Sequence, residues 1–197
     1  MLQDGYYDLL AESLTNTSHS FKSWTVSEDV VAAYVQSDLE TEIGSIPVTG
    51  SVGLRYIRTE QSSQGTAFGT VDGLVVSSPT DIKHTYSDLL PSLNLIFDVA
   101  ESQSVRFGIA ETISRPRLDE MNASVGATYN QQPDNNGNNW SINGGNPLLE
   151  PKKALGVDLS YENYFSAEGY FAVAYFWKDL KQWIFDGTYQ VDFTGVA

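Results

Sequence analysis

Gly145-Asn146-Pro147-Leu148-Leu149-Glu150-Pro151 closes a polar, Asn/Gly-rich loop, and the residues after it decide the fold. Two runs follow, joined only by Ser166-Ala167-Glu168-Gly169. Leu155, Val157, Leu159 and Tyr161 alternate with small and polar residues in the first run. Phe171, Val173, Tyr175 and Trp177 do the same in the second, which is expected to continue through Phe185. A period of two marks a strand with two unlike faces. The whole stretch reads as a long loop, a strand, a tight turn and a returning strand.

The same order occurs twice upstream. Val30–Glu40 alternates, turns through Ile43–Pro47, and continues as Val48–Thr59. Glu60 to Ile82 lacks strong periodicity and reads as a long loop, with Gly73–Val76 as a strand or hairpin inside it. Lys83–Val99 is the third strand, with Leu89, Pro91, Leu93, Leu95 and Phe97 on one face. Pro91 lacks a ladder donor, so an irregularity is expected there. Ala100–Gln103 turns into Ser104–Ser114, the fourth strand. Glu111 lies on its apolar face, which calls for a bulge or a place near lipid headgroups. Arg115 to Gly145 is the longest loop, and a short helix is possible at Asp8–Leu14.

Short turns at one end and long loops at the other are the pattern of a transmembrane β-barrel. The charges opposite the apolar stripes, such as Arg55, Asp88, Asp98, Arg106, Asp158, Glu162 and Lys178, would then face the lumen. Tyr161, Tyr164, Phe165, Tyr170 and Phe171 near one turn suit an interfacial aromatic girdle, and Trp177 and Trp183 lie farther along. Six strands cannot close, because small barrels start at about eight. An open edge would leave backbone groups unsatisfied in hydrocarbon. The chain therefore reads as all-β, an antiparallel meander of about six long strands within a larger transmembrane barrel.

Composition narrows the function. A net charge of −14 opposes nucleic-acid binding, which needs a basic footprint. No cysteine is present, so disulfides and thiolate metal sites are excluded. His19 and His84 are the two histidines, and they are distant in sequence. No metal site, cofactor or nucleophile–base constellation is expected, so the chain does not read as an enzyme. Residues 1–20 lack the features of a signal peptide.

Four segments resemble, in order, the C-terminal half of TonB-dependent outer-membrane receptors. They are Tyr86–Leu95, Val105–Pro116, Gly145–Pro151 and Tyr175–Leu180, with support from Ala33–Gln36 and Val48–Tyr56. The resemblance implies a 22-stranded type of barrel (here a partial one, residues 1–197) without its plug domain. It implies an outer-membrane location, outer-membrane lipid and the TonB system (through the plug) as partners, and import of an extracellular small molecule. Carbohydrate and iron chelate (siderophore) are both candidates, with carbohydrate favoured by the Ser114-Arg115-Pro116 wording. The fragment alone would not transport. The competing readings are a soluble all-β glycan-binding module and a passive porin segment.

Arg115 and Arg117 flank Pro116 at the barrel mouth and could grip an anionic or hydroxylated ligand; pairing with Asp119 or Glu120 is the plainer expectation. Tyr129, Trp140 and Asn143 offer ring faces and an amide for a sugar, against the plainer reading of a surface loop. Gly145, Asn146, Pro147 and Pro151 are read as an architectural corner, because Gly permits unusual φ and Pro fixes it.

Overall fold

Alternation in the sequence becomes register in a sheet. The computed structural model describes residues 22–71, 74–134, 137–166 and 168–188. Among these there is no helix. The strands are β1 (Thr25–Ile43), β2 (Ile46–Val71), β3 (Leu74–Ala100), β4 (Gln103–Ser114), β5 (Val125–Tyr129), β6 (Trp140–Gly144), β7 (Lys152–Ser166) and β8 (Gly169–Gln182). Their order across the sheet is β6-β5-β2-β3-β4-β7-β8, with β1 also paired to β2. The six long strands of the expected meander are all present. The possible helix at Asp8–Leu14 lies outside the described residues.

Several boundaries differ from expectation. The stretch read as a loop from Glu60 to Ile82 is almost entirely strand, because β2 and β3 run to 26 and 27 residues. The loop from Arg115 to Gly145 carries two short strands, and β5 pairs with β2 in parallel, Ala67 opposite Val125. β8 ends at Gln182, so Trp183, Ile184 and Phe185 lie beyond the strand. The three tight turns are as short as the sequence suggested, and Gly44 supplies a positive φ of 68° in the first.

The chain divides into two compact units. One comprises Tyr34–Arg55, Leu90–Arg115 and Pro151–Ala197. Here β3, β4, β7 and β8 form antiparallel ladders, and three cross-strand rows are wholly uncharged. They are Leu93-Ile109-Val157-Trp177, Leu95-Phe107-Leu159-Tyr175 and Phe97-Val105-Tyr161-Val173. On the opposite face the rows are small and polar, as in Asn94-Gly108-Asp158 and Asp98-Ser104-Glu162. Arg106 Nε lies 3.2 Å from Glu162 Oε1 on that side. The β4–β7 register is unbroken through Glu111 opposite Leu155, so no bulge explains Glu111. The β3–β4 ladder reaches Ser92 opposite Ala110 and goes no farther toward Pro91, while β4 stays paired with β7 to Ser114. The register shift in this ladder lies between Asp98 and Ala100, and β3 runs continuously through Pro91.

The other unit comprises Met1–Ala33, Tyr56–Leu89 and Pro116–Glu150. Its described residues bury polar side chains. On β2, Thr59, Gln61 and Ser63 are at most 4% exposed, while Arg58 and Glu60, on the alternate face, are exposed and form a 2.7 Å ion pair. The segment after β4 covers this inner face. Met121, Ala123 and Ser124 are at most 1% exposed. Thr80 Oγ1 donates to Ala123 O at 2.8 Å, and the Thr66 N–H donates to Ser124 Oγ at 3.3 Å. Gly65 is required here, because a Cβ would lie 2.6 Å from the Ser124 nitrogen.

Candidate functional site

The Gly-Asn-Pro-Leu segment sits on this buried polar face. The Asn146 N–H donates to Glu120 O at 2.8 Å. Asn146 Oδ1 then accepts from the Leu148 N–H at 3.0 Å, and its carbonyl from the Leu149 N–H at 3.2 Å. An Asn side chain that mimics a backbone turn is the usual reason for Asn in such a place. Gly145 has no room for a side chain, since a Cβ would meet Asn122 O at 2.6 Å and Glu120 O at 2.7 Å. Gln61 Nε2 donates to Pro147 O at 2.7 Å and to Leu149 O at 3.1 Å. His84 Nε2 lies 3.1 Å from Glu150 Oε1. Pro151 is fully buried. Two strand residues, Gln61 and His84, thus hold the corner, and neither was singled out for this from sequence.

The arginines diverge in surroundings. The Arg117 guanidinium is bidentate on Asp119, with Nε to Oδ1 at 2.9 Å, and the Arg117 N–H donates to Glu120 Oε2 at 3.1 Å. The turn is closed by the Glu120 and Met121 N–H groups donating to Arg117 O and Leu118 O. Arg115 is exposed.

Tyr129 and Trp140 are direct cross-strand partners on the β5–β6 hairpin. Their rings meet edge-to-face with centroids 5.2 Å apart. Each remains about half exposed, at 52% and 51%. Ala127 and Ile142 follow on the same face, one pair along. Asn143 does not join them. It opposes Gly126, one step out of phase, so it shares the other face with Thr128 and Ser141. Beyond the hairpin, Asn139 Nδ2 donates to Asn130 O at 2.8 Å and the Asn138 N–H donates to Asp134 Oδ1 at 2.8 Å. The hairpin therefore offers one aromatic face and one amide-hydroxyl face. The described residues contain no cluster of His, Cys, Asp and Glu able to hold a metal.

Residues 2–197 match the family described as TonB dependent receptor-like, beta-barrel. The chain belongs to that family. It is a family of transport receptors rather than enzymes. The ordered motifs around Tyr86, Val105, Gly145 and Tyr175 were sufficient to indicate it.

Among solved structures, the chain is similar to the siderophore receptor PirA from Acinetobacter baumannii, with 13% identity, 79% of this chain and 27% of that one covered, and a TM-score of 0.43. It is similar to a mutant ferric enterobactin receptor PfeA from Pseudomonas aeruginosa in complex with enterobactin, with 18% identity, 85% and 29% covered, and a TM-score of 0.46. It is also similar to PirA from Pseudomonas aeruginosa, with 15% identity, 87% and 36% covered, and a TM-score of 0.42. The chain spans about a third of the length of these receptors. No curated relative matches it.

Proposed function

We propose that this chain is part of the barrel wall of an outer-membrane receptor that imports an extracellular nutrient with energy passed from TonB. TonB would act through the plug domain of such receptors. The observation that carries this reading, beside the family, is the inverted distribution of polarity. Uncharged rows lie on one face of β3, β4, β7 and β8, and the ion pair of Arg106 with Glu162 lies on the other. A soluble module buries its apolar stripe, whereas here Leu159, Tyr175 and Trp177 stand exposed and Thr59, Gln61 and Ser63 are buried.

The nutrient is a carbohydrate or an iron chelate, and the hairpin favours the carbohydrate. The paired rings of Tyr129 and Trp140 provide an apolar face for a pyranose, while Ser141 and Asn143 lie on the reverse and do not share that face. Arg115, exposed, supplies positive charge for an acidic ligand group, whereas Arg117 is committed to Asp119. Gly145, Asn146, Pro147 and Pro151 shape the chain and do not touch the ligand. Uptake by cells producing the protein, with a panel of oligosaccharides and ferric chelates, tests the reading. The expected result is uptake of one oligosaccharide class that disappears when TonB is removed. Uptake that persists without TonB would support a passive porin instead, and ferric-chelate uptake alone would overturn the carbohydrate assignment.

A further inference from the structure

The buried polar face of β2 carries oxygens that its own hydrogen bonds leave over. β1 pairs with β2 across a tight hairpin turn, so the two strands run antiparallel. The Ser27 and Ser62 hydroxyls meet at 3.2 Å, which brings Glu28 level with Gln61 on the other face. Ser63 follows Gln61 by two residues and shares that face. Gln61 and Ser63 are 4% and 2% exposed. Glu28 Oε1, Gln61 Oε1 and Ser63 Oγ are buried and have no hydrogen-bond partner among the described residues. The Gln61 amide has a fixed sense, because its Nε2 donates to Pro147 O and Leu149 O. Its Oε1 can only accept.

We propose that Glu28, Gln61 and Ser63 form a binding site for a hard, oxygen-seeking cation of the calcium type. A buried oxygen without a partner is costly, and a carboxylate without a counter-charge more so. Carboxylate and side-chain carbonyl oxygens are what calcium takes, with waters and backbone carbonyls completing a shell of about six to eight. The set contains no sulfur or imidazole, which argues against the softer transition metals. A small ion can enter where an ammonium- or guanidinium-bearing side chain cannot, because Gln61 and Ser63 are almost wholly covered. With one carboxylate and two neutral oxygens, the site is not a cluster of acids, and the sequence gives it no spacing by which to be noticed. The ion also acts on the corner. Positive charge on Oε1 polarises the Gln61 amide and strengthens its two bonds to Pro147 O and Leu149 O. One ion thus ties β1 and β2 to the Gly145–Glu150 corner.

The test uses the protein carrying this chain, purified in detergent and stripped with a chelator. Thermal melting is followed in chelator and in millimolar calcium chloride, and calcium binding is measured by titration calorimetry. The expected result is a melting point a few degrees higher with calcium. Glu28→Gln is expected to lose one bound calcium and the rise in melting that goes with it. Ser63→Ala keeps the carboxylate and is expected to bind that calcium several-fold more weakly, so it reports should Glu28→Gln fail to fold. Glu60→Gln, on the alternate face of β2, is expected to behave as the unsubstituted protein. A folded Glu28→Gln or Ser63→Ala variant with unchanged calcium stoichiometry and affinity would overturn the site. Melting indifferent to calcium, with Glu28→Gln at least as stable as the unsubstituted protein, would overturn it too, as the behaviour of atoms satisfied by water. Neither result bears on the receptor reading, which uptake tests separately.

Discussion

Gln61 shows what a single residue contributes. Its amide satisfies two carbonyls of the corner, Pro147 O and Leu149 O, from a side chain only 4% exposed. Gln61→Leu removes both bonds and leaves two part-buried carbonyls without them, which costs about 1 kcal/mol or somewhat more. The expected outcome is a lowered unfolding temperature with the same strand content by circular dichroism; no change would show that the contact carries little. Gly145→Ala forces a methyl against two carbonyl oxygens and should cost about 1–3 kcal/mol as overpacking. On the proposed carbohydrate reading, Trp140→Ala removes one of the two rings offered to the sugar. A ring contact to the ligand of about 0.5–1.5 kcal/mol lost in this way should weaken affinity about 2- to 12-fold, read by titration with the oligosaccharide taken up. At this scale the sequence was legible where chain geometry decides. Gly145, Asn146 and Pro147 stood out because their backbone chemistry is unusual. Gln61 did not, since an isolated Gln in a polar run has no local mark of the distant carbonyls it serves.

Strands are legible when their two faces differ. β4 and β7 were recognised nearly to the residue because Phe107, Ile109, Leu155 and Leu159 alternate with small or charged residues. The run Gln61-Ser62-Ser63-Gln64-Gly65-Thr66 was read as loop because both of its faces are polar. It is nevertheless strand, held by pairing rather than by an apolar stripe. β5 and β6 were hidden for another reason: at five residues each they are too short to show a period. The difference between faces also makes a test. Phe107→Arg places a charge among Leu95, Leu159 and Tyr175, and at a lipid midplane Arg costs about 2–4 kcal/mol. Ser104→Arg, whose row holds Asp98 and Glu162, should change stability by less than about 1 kcal/mol. Chemical unfolding in detergent or lipid compares the two. Equal losses would contradict the assignment of faces.

For the molecule as a whole, the class followed from the alternation of tight turns and long connections together with the order of four motifs. The ligand did not follow, because the features that select it are exposed side chains whose grouping depends on register. Trp140 and Asn143 look like neighbours in sequence, yet β6 sends them to opposite faces. What can be tested at this scale is whether the wall is part of a closed barrel in a membrane. Such barrels resist detergent until heated, because every strand is hydrogen-bonded on both sides. The most direct measurement is therefore electrophoresis of the protein carrying this chain, extracted from outer membranes in detergent, with and without boiling. A faster-migrating unheated band that shifts to slower mobility on boiling is the expected result. Identical mobility in both lanes, with the protein recovered in the soluble fraction, would contradict it.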